Sequence, residues 1–220
     1  MEAYRVTEFE DHLLLLFGTT PREDLLGVIQ GLAAELNRLP PPGLLEAVAG
    51  LTSLALYFDP AETAGPPLLA YLSGLRPRPL EAGRTHRLAV CYAPPHSPDL
   101  PWVADYLGLS PAQLVELHQS SLHRVDLIGF LPGFAYLSGW PAPQPVPRLP
   151  RPRTEVTSGS VGVAGMQTGL YPGRSPGGWR IIGRTPQRLL WLDREQPGLL
   201  QPGDRVQMVA ISADAFERQC

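Results

Sequence analysis

The chain has 220 residues, enough for one large or two small domains, and at this size folding buries about 70% of the unfolded surface without a disulfide or metal. A net charge of −3, from 18 basic and 21 acidic side chains, excludes a nucleic-acid surface built on a broad basic patch. All 18 basic side chains are arginine, which removes Schiff-base chemistry, a lysine general base and a phosphate loop of the G-x-x-x-x-G-K-[ST] type.

Tyr4–Phe9 and Leu13–Phe17 read as strands joined by a turn around Glu10–His12. The run Leu13–Phe17 is too short to span a membrane and no basic leader precedes it, so the chain reads as cytoplasmic, with no membrane partner. Pro21–Arg38 reads as a helix capped by Thr20, with Pro21 at its first position and Leu25, Ile29, Leu32 and Leu36 on its apolar face. Pro40–Gly43 stops it. Leu45–Ala49 and Ser53–Phe58 form a hairpin pair, and Pro60–Gly74 a second helix weakened by Gly65, Pro66 and Pro67. This ββαββα order suits a small α/β sandwich over residues 1–80.

Arg76–Gly83, rich in proline and arginine, reads as the linker to a second domain over residues 81–220. There, Thr85–Tyr92 is a strand carrying Cys91 as a buried, reduced thiol; Cys220, the last residue, makes no framework with it. Asp99–Leu107 and Pro111–Ser120 are short helices, the second capped by Ser110. From Val125 onward the pattern is β-rich with glycine and proline turns, which suggests a barrel or compact β domain.

Two stretches there are unusual. Gly129–Gly139, GFLPGFAYLSG, crowds Phe130, Phe134 and Tyr136 among glycines and a proline, at a density neither a helix nor a plain strand tolerates. It reads as a rigid loop leaving the strand Val125–Ile128. Leu170–Pro186, LYPGRSPGGWRIIGRTP, sets Trp179 on a similar backbone beside the strand Arg180–Ile182. Both are expected to meet at one cleft together with Gln167.

Other candidates have two readings each. Arg148, Arg151 and Arg153 alternate with prolines, as a solvated extended segment or as a carboxylate or phosphate clamp. His118 ends a helix, where it caps the terminus or transfers protons near neutrality. Gln167 is a polar loop end, or a donor and acceptor for an amide or imide. Tyr171 reads as core or rim. SGSVG around Ser160 lacks the glycine that a nucleophile elbow needs at Ser158, so Ser158–Gly162 reads as a tight turn offering N–H groups. Asp204 in PGD reads as a turn residue. The histidines fit neither H-x-x-x-H nor H-E-x-x-H, so no metal site is expected.

In order, LLLLFG (Leu13–Gly18), SLALYFDP (Ser53–Pro60), GFLPGFAYL, PRLPRPR (Pro147–Arg153), SGSVGVAGMQTGLYP (Ser158–Pro172), SPGGWRIIGRTP (Ser175–Pro186) and PGD (Pro202–Asp204) resemble one family over nearly the whole chain. It is the family of the B-type subunit of bacterial 5-oxoprolinase, which includes KipI-type inhibitors of a sporulation histidine kinase. Related sequences form half of the carboxyltransferase region of urea carboxylase, and many are named allophanate hydrolase subunit 1. The chain departs from the family at Ala93–Ser97, where relatives tend to carry glycines, and near Thr157, where they carry proline.

The resemblance implies an α+β chain with a C-terminal cyclophilin-like barrel. It implies a subunit of an enzyme that, with A- and C-type partner subunits, opens the lactam of 5-oxoproline to L-glutamate. ATP is then used by the assembled complex, with none expected on this chain alone, and the isolated chain should be inactive. His118 and Gln167 would be its catalytic contribution; Phe130, Phe134, Tyr136, Arg153 and Trp179 would hold the substrate, with Arg148 solvated. The alternatives are a kinase inhibitor that docks through the aromatic face, and a urea carboxylase or allophanate hydrolase subunit.

Overall fold

Arg5–Glu8 (β1) and His12–Leu16 (β2) open a four-stranded antiparallel sheet, in which Leu13 and Leu15 point to the buried side and His12 and Leu14 away from it. This computed structural model describes residues 4–20, 22–76 and 83–219, in two compact units, Met1–Glu81 and Ala82–Cys220. In the first unit Glu23–Arg38 (α1) buries Leu25, Ile29, Leu32 and Leu36, the face its spacing predicts. Leu44–Ala49 (β3) and Ser53–Phe58 (β4) complete the sheet in the order β1-β2-β4-β3, and Gly65–Gly74 (α2) adds Leu68 and Leu72 to the core.

Both helix starts differ from the sequence reading. Helix α1 begins at Glu23 after an extended Arg22, and no side chain caps it; Thr20 stands outside, and Pro21 lies outside the described residues. Glu23 and Asp24 in the first turn place negative charge at the positive end of the helix instead. Helix α2 begins at Gly65 because Asp59 closes a separate turn, its carboxylate accepting the Ala61 amide and its carbonyl accepting those of Glu62 and Thr63. Pro66 and Pro67 then fall in the first turn, where a missing N–H costs nothing.

The second unit begins with Thr85–Cys91 (β5), followed by Leu100–Tyr106 (α3) and Pro111–Ser120 (α4). Ser110 caps α4 in a reciprocal pair with Gln113. Leu122–Ile128 (β6) and Ala135–Ser138 (β7) follow, so the second half of GFLPGFAYLSG is a strand rather than loop. There Ala135 and Leu137 point into the core while Tyr136 and Ser138 point out. The remaining strands are Arg153–Val156 (β8), Ser160–Ala164 (β9), Gln167–Leu170 (β10), Ser175–Gly177 (β11), Arg180–Arg184 (β12) and Arg205–Ile211 (β13), before Ala213–Glu217 (α5). The expected turn at Ser158–Gly162 is thus shorter, the strand starting at Ser160.

Seven of these strands close a barrel, β10-β7-β6-β13-β5-β12-β9, with β13 and β5 parallel and the other pairs antiparallel. Leu88, Val90, Val125, Leu137, Val163 and Val206 are among the residues filling it. A separate ribbon, β8 with β11, carries Val156 into a second, outer apolar cluster.

Asp204 does more than turn the chain. It is buried, its Oδ1 accepts the Arg84 amide at 2.8 Å, and its Oδ2 accepts the Gln201 amide at 2.9 Å and lies 3.0 Å from His86 Nε2. It therefore ties the start of β5 to the start of β13. Asp204→Ala should cost about 1–2 kcal/mol, since it strands backbone donors. All four tryptophans lie in the second unit, so urea unfolding followed by tryptophan fluorescence reads that unit. An unchanged midpoint would mean that water replaces the carboxylate.

Candidate functional site: an aromatic cleft outside the barrel

The outer cluster exists because glycines thin the barrel wall beneath it. On β10 the side chains of Thr168 and Leu170 are buried toward the interior, and Gly169 faces outward opposite Tyr136 and Gly162. A Cβ on Gly169 would lie 2.8 Å from both Phe134 Cζ and Trp179 Cζ3; one on Gly162 would lie 3.0 Å from Trp179 Cβ. The rings therefore rest directly on the sheet backbone.

Phe134 is the centre. Its ring meets Tyr171 at 4.9 Å and 88°, Trp179 at 5.8 Å and 78°, Tyr136 at 4.7 Å and 64°, and Phe130 at 5.5 Å and 81°. These are edge-to-face contacts, favoured by the ring quadrupoles. Tyr136 meets Trp179 at 5.7 Å. Above them opens a cleft of about 230 Å³, lined by Phe130, Phe134, Tyr136, Tyr171, Trp179, Arg148 and Pro152 with the Pro176–Gly178 backbone.

Phe130 sets this apart from ordinary core packing. It is 65% exposed, and it holds φ at +69°, a left-handed conformation that a bulky side chain adopts at a cost. The turn around it is closed by hydrogen bonds from the Leu131 amide to the Gly129 carbonyl and from the Phe134 amide to the Leu131 carbonyl. An exposed ring kept in a strained position makes this turn a candidate contact point for a ligand or partner.

Among the described residues the cleft has one fixed charge. The Arg148 guanidinium lies 5.8 Å from the Trp179 ring centroid, a cation–π distance. Burial pushes the Tyr171 hydroxyl up to about 12, with the Trp179 backbone and Arg148 opposing the shift. Tyr136 is raised in the same way, again against Arg148. Both phenols stay protonated at neutral pH and can donate hydrogen bonds.

The structure thus brings Phe130, Phe134, Tyr136 and Trp179 together and leaves three expected residues elsewhere. Gln167 shares the outer face of β10 with Gly169, yet it does not line the cleft. Arg153 does not line it either: its Nη1 and Nη2 each lie 2.9 Å from an Asp99 carboxylate oxygen. Its charge is paired within the protein, Nη2 donating to Asp99 while Nη1 faces Oδ2 without hydrogen-bond geometry, and Arg148, expected to be solvated, takes its place at the cleft. His118 is fully buried, with Nδ1 2.7 Å from the Tyr92 hydroxyl and Nε2 3.0 Å from Thr168 Oγ1. Desolvation, then the neighbouring His123, hold it well below the usual histidine range, so it is a neutral interior group rather than an acid–base at the cleft.

Tyr171, which the sequence offers as core or rim, is both. Arg148 carries a sequence signal, the proline-spaced arginine run, but register alone does not show which arginine faces the rings. Among the described residues no group of three or more His, Cys, Asp or Glu could hold a metal ion, and no helix is long and apolar enough to cross a membrane.

The family model described as carboxyltransferase domain, subdomain C and D, matches residues 5–200. The chain belongs to the carboxyltransferase subdomain C and D family. Within it, the chain is similar to the B-type subunit of 5-oxoprolinase from Bacillus subtilis, at 33% identity over 95% of this chain and 93% of that protein. It is also similar to the solved structure of TTHA0988, at 40% identity and a TM-score of 0.82 over 92% of this chain. It spans only 40% of that solved chain's length. The urea carboxylase of Kluyveromyces lactis superposes with a TM-score of 0.79 over 98% of this chain and 22% of its own length. At 19% identity that last likeness shows the fold alone.

Proposed function

We propose that this chain is the B-type subunit of an ATP-dependent 5-oxoprolinase, acting with A- and C-type partner subunits, and that the aromatic cleft holds the substrate. The observation that carries the reading is a strained, exposed Phe130 beside a single arginine over aromatic rings, in a chain similar to the B-type subunit of 5-oxoprolinase over nearly its full length. 5-Oxoproline is a small flat lactam bearing a carboxylate. The rings of Phe130, Phe134 and Trp179 suit its apolar face, Arg148 suits the carboxylate, and the protonated hydroxyls of Tyr136 and Tyr171 suit the lactam oxygen.

An unstrained lactam is a poor electrophile, and ATP supplies the driving force when bound in the complex. With no lysine this chain offers no Walker-type cradle, so no step through ATP is assigned to it. Nor, among the described residues, does the cleft contain a carboxylate or histidine to activate water. This chain binds, orients and keeps the lactam dry; the general base comes from a partner subunit.

The test is ATP-dependent glutamate release from 5-oxoproline, by the chain alone and with its partner subunits. Turnover is expected only from the complex. In the complex Arg148→Ala should raise KM by about ten- to a hundredfold, with thermal stability unchanged because the side chain is exposed. Unchanged KM would remove Arg148 from the site, and turnover by the purified chain alone would sink the shared-site reading. Inhibition of a sensor kinase, with no turnover in any reconstitution, would replace it by the inhibitor function.

A further inference from the structure

A second cavity, of about 310 Å³, shares no lining residue with the aromatic cleft. Its walls come from the 95–98 loop, β8, β9 and β12, and include His96, Arg153, Glu155, Thr157, Ser160 and Arg184.

Its charges do not cancel. Arg153 is matched by Asp99, and Glu155 by Arg174 at 3.1 Å. Arg184 has no such partner: among the described residues it makes no ion pair. It is nevertheless held in place. Its Nε donates to the Ser158 carbonyl at 2.8 Å, and its guanidinium lies 5.3 Å from the Phe216 ring centroid. That leaves the Nη donors uncommitted on a half-buried, pre-positioned fork, the arrangement that pairs best with an oxyanion. His96 stands on the same Phe216 ring, at 4.1 Å. Burial and then Arg184 disfavour its protonation, while Glu217, 3.8 Å from Nε2, favours it.

We propose that this cavity is a second ligand site, taking a compact oxyanion, a phosphate or a carboxylate group, against the Arg184 guanidinium, with His96 and the Thr157 and Ser160 hydroxyls beside it. The site is independent of the 5-oxoprolinase reading. An anion placed there offsets the repulsion between Arg184 and a protonated His96. Binding therefore takes up a proton at His96 and tightens as pH falls through the histidine range. The other charged groups around His96 are Glu217 on α5, Glu155 and Arg153 on β8, and Asp99 behind Arg153. The last three are engaged in pairs within the protein, which leaves His96 to carry the pH dependence.

The experiment is an NMR titration of the full chain, following the His96 ring and the amides of Thr157 and Ser160. Sulfate, whose charge is constant over the range, is the probe from about pH 5 to about pH 8; inorganic phosphate and L-glutamate form the other arms. Saturable shifts confined to these residues are expected, weakened by about tenfold or more in Arg184→Gln. His96→Gln should bind while losing the pH dependence. Saturation by phosphate alone assigns the site to phosphate groups, and saturation by glutamate alone to carboxylates. If Arg184→Gln does not fold, the wild-type shifts still decide. No saturable shift with any of the three anions overturns the proposal, as do shifts that survive intact in a folded Arg184→Gln protein.

Discussion

Arg153→Ala should destabilise the barrel unit by about 2–4 kcal/mol in urea unfolding followed by tryptophan fluorescence. The sequence alone suggests the opposite, a surface change worth about ±0.5 kcal/mol. Asp99 decides between them. Its side chain is only 8% exposed, and its oxygens face both Arg153 nitrogens at 2.9 Å. Oδ2 also accepts the Ile181 amide at 2.6 Å, and the Asp99 amide donates back to the Ile181 carbonyl at 2.9 Å. Asp99 thus fastens the start of α3 to β12 and, through Arg153, to β8. Removing the arginine leaves a nearly buried carboxylate with a single amide to answer its charge. The Arg153 side chain is 30% exposed, so water enters part of the gap, and the cost falls below that of a fully buried pair. Asp99→Asn keeps an acceptor for Ile181 while removing the charge. In a double-mutant cycle Arg153→Ala should then cost much less on the Asp99→Asn background. A loss of Arg153→Ala below about 0.5 kcal/mol on the wild-type background would show the pair to be a spectator.

The contrast between Arg148 and Arg153 shows where sequence reasoning stops. Both sit in one proline-spaced run, with the same side-chain chemistry and no period to separate them. Which one meets the rings depends on the ribbon β8–β11 folding back over the barrel, a long-range pairing that no local pattern encodes. Local features are legible: the apolar face of α1, the Ser110 cap, the β alternation of the second unit. The aromatic cleft is legible in part, since glycines beside large rings leave few local alternatives. Helix starts are not, because Arg22 and Asp59 act there through backbone geometry that other residues could supply equally well. His118 misleads for a related reason. Its position at a helix end suggests solvent and a dipole partner; the barrel packs over it instead.

That burial makes the chain acid-sensitive above the pH at which carboxylates titrate. His118 and His123 are both fully buried, and burial is the leading cause lowering each. The unfolded chain takes up protons at these two histidines near their ordinary value of 6.5, while the folded chain resists until lower pH. Between those limits the unfolded state binds more protons, so stability is complete above about pH 6.5 and falls as pH drops below it. Each histidine contributes a slope approaching about 1.4 kcal/mol per pH unit. The loss should therefore set in below about pH 6.5, still above the range of most carboxylates, with His118, the more strongly lowered of the two, as its larger source. His96, also lowered, adds in the same direction. Unfolding in urea at a series of pH values, read by tryptophan fluorescence, measures this. His118→Gln should lower stability at about pH 7.5, because the Tyr92 and Thr168 hydroxyls lose geometry set by the ring, and it should flatten the acid slope. The same data judge the catalytic reading of His118. A general acid–base must titrate in the folded protein near the working pH, and such a residue would leave stability level through the histidine range. A flat profile from about pH 7 to about pH 5 would therefore mean that the barrel admits water to His118, and would return it to the candidate proton carriers.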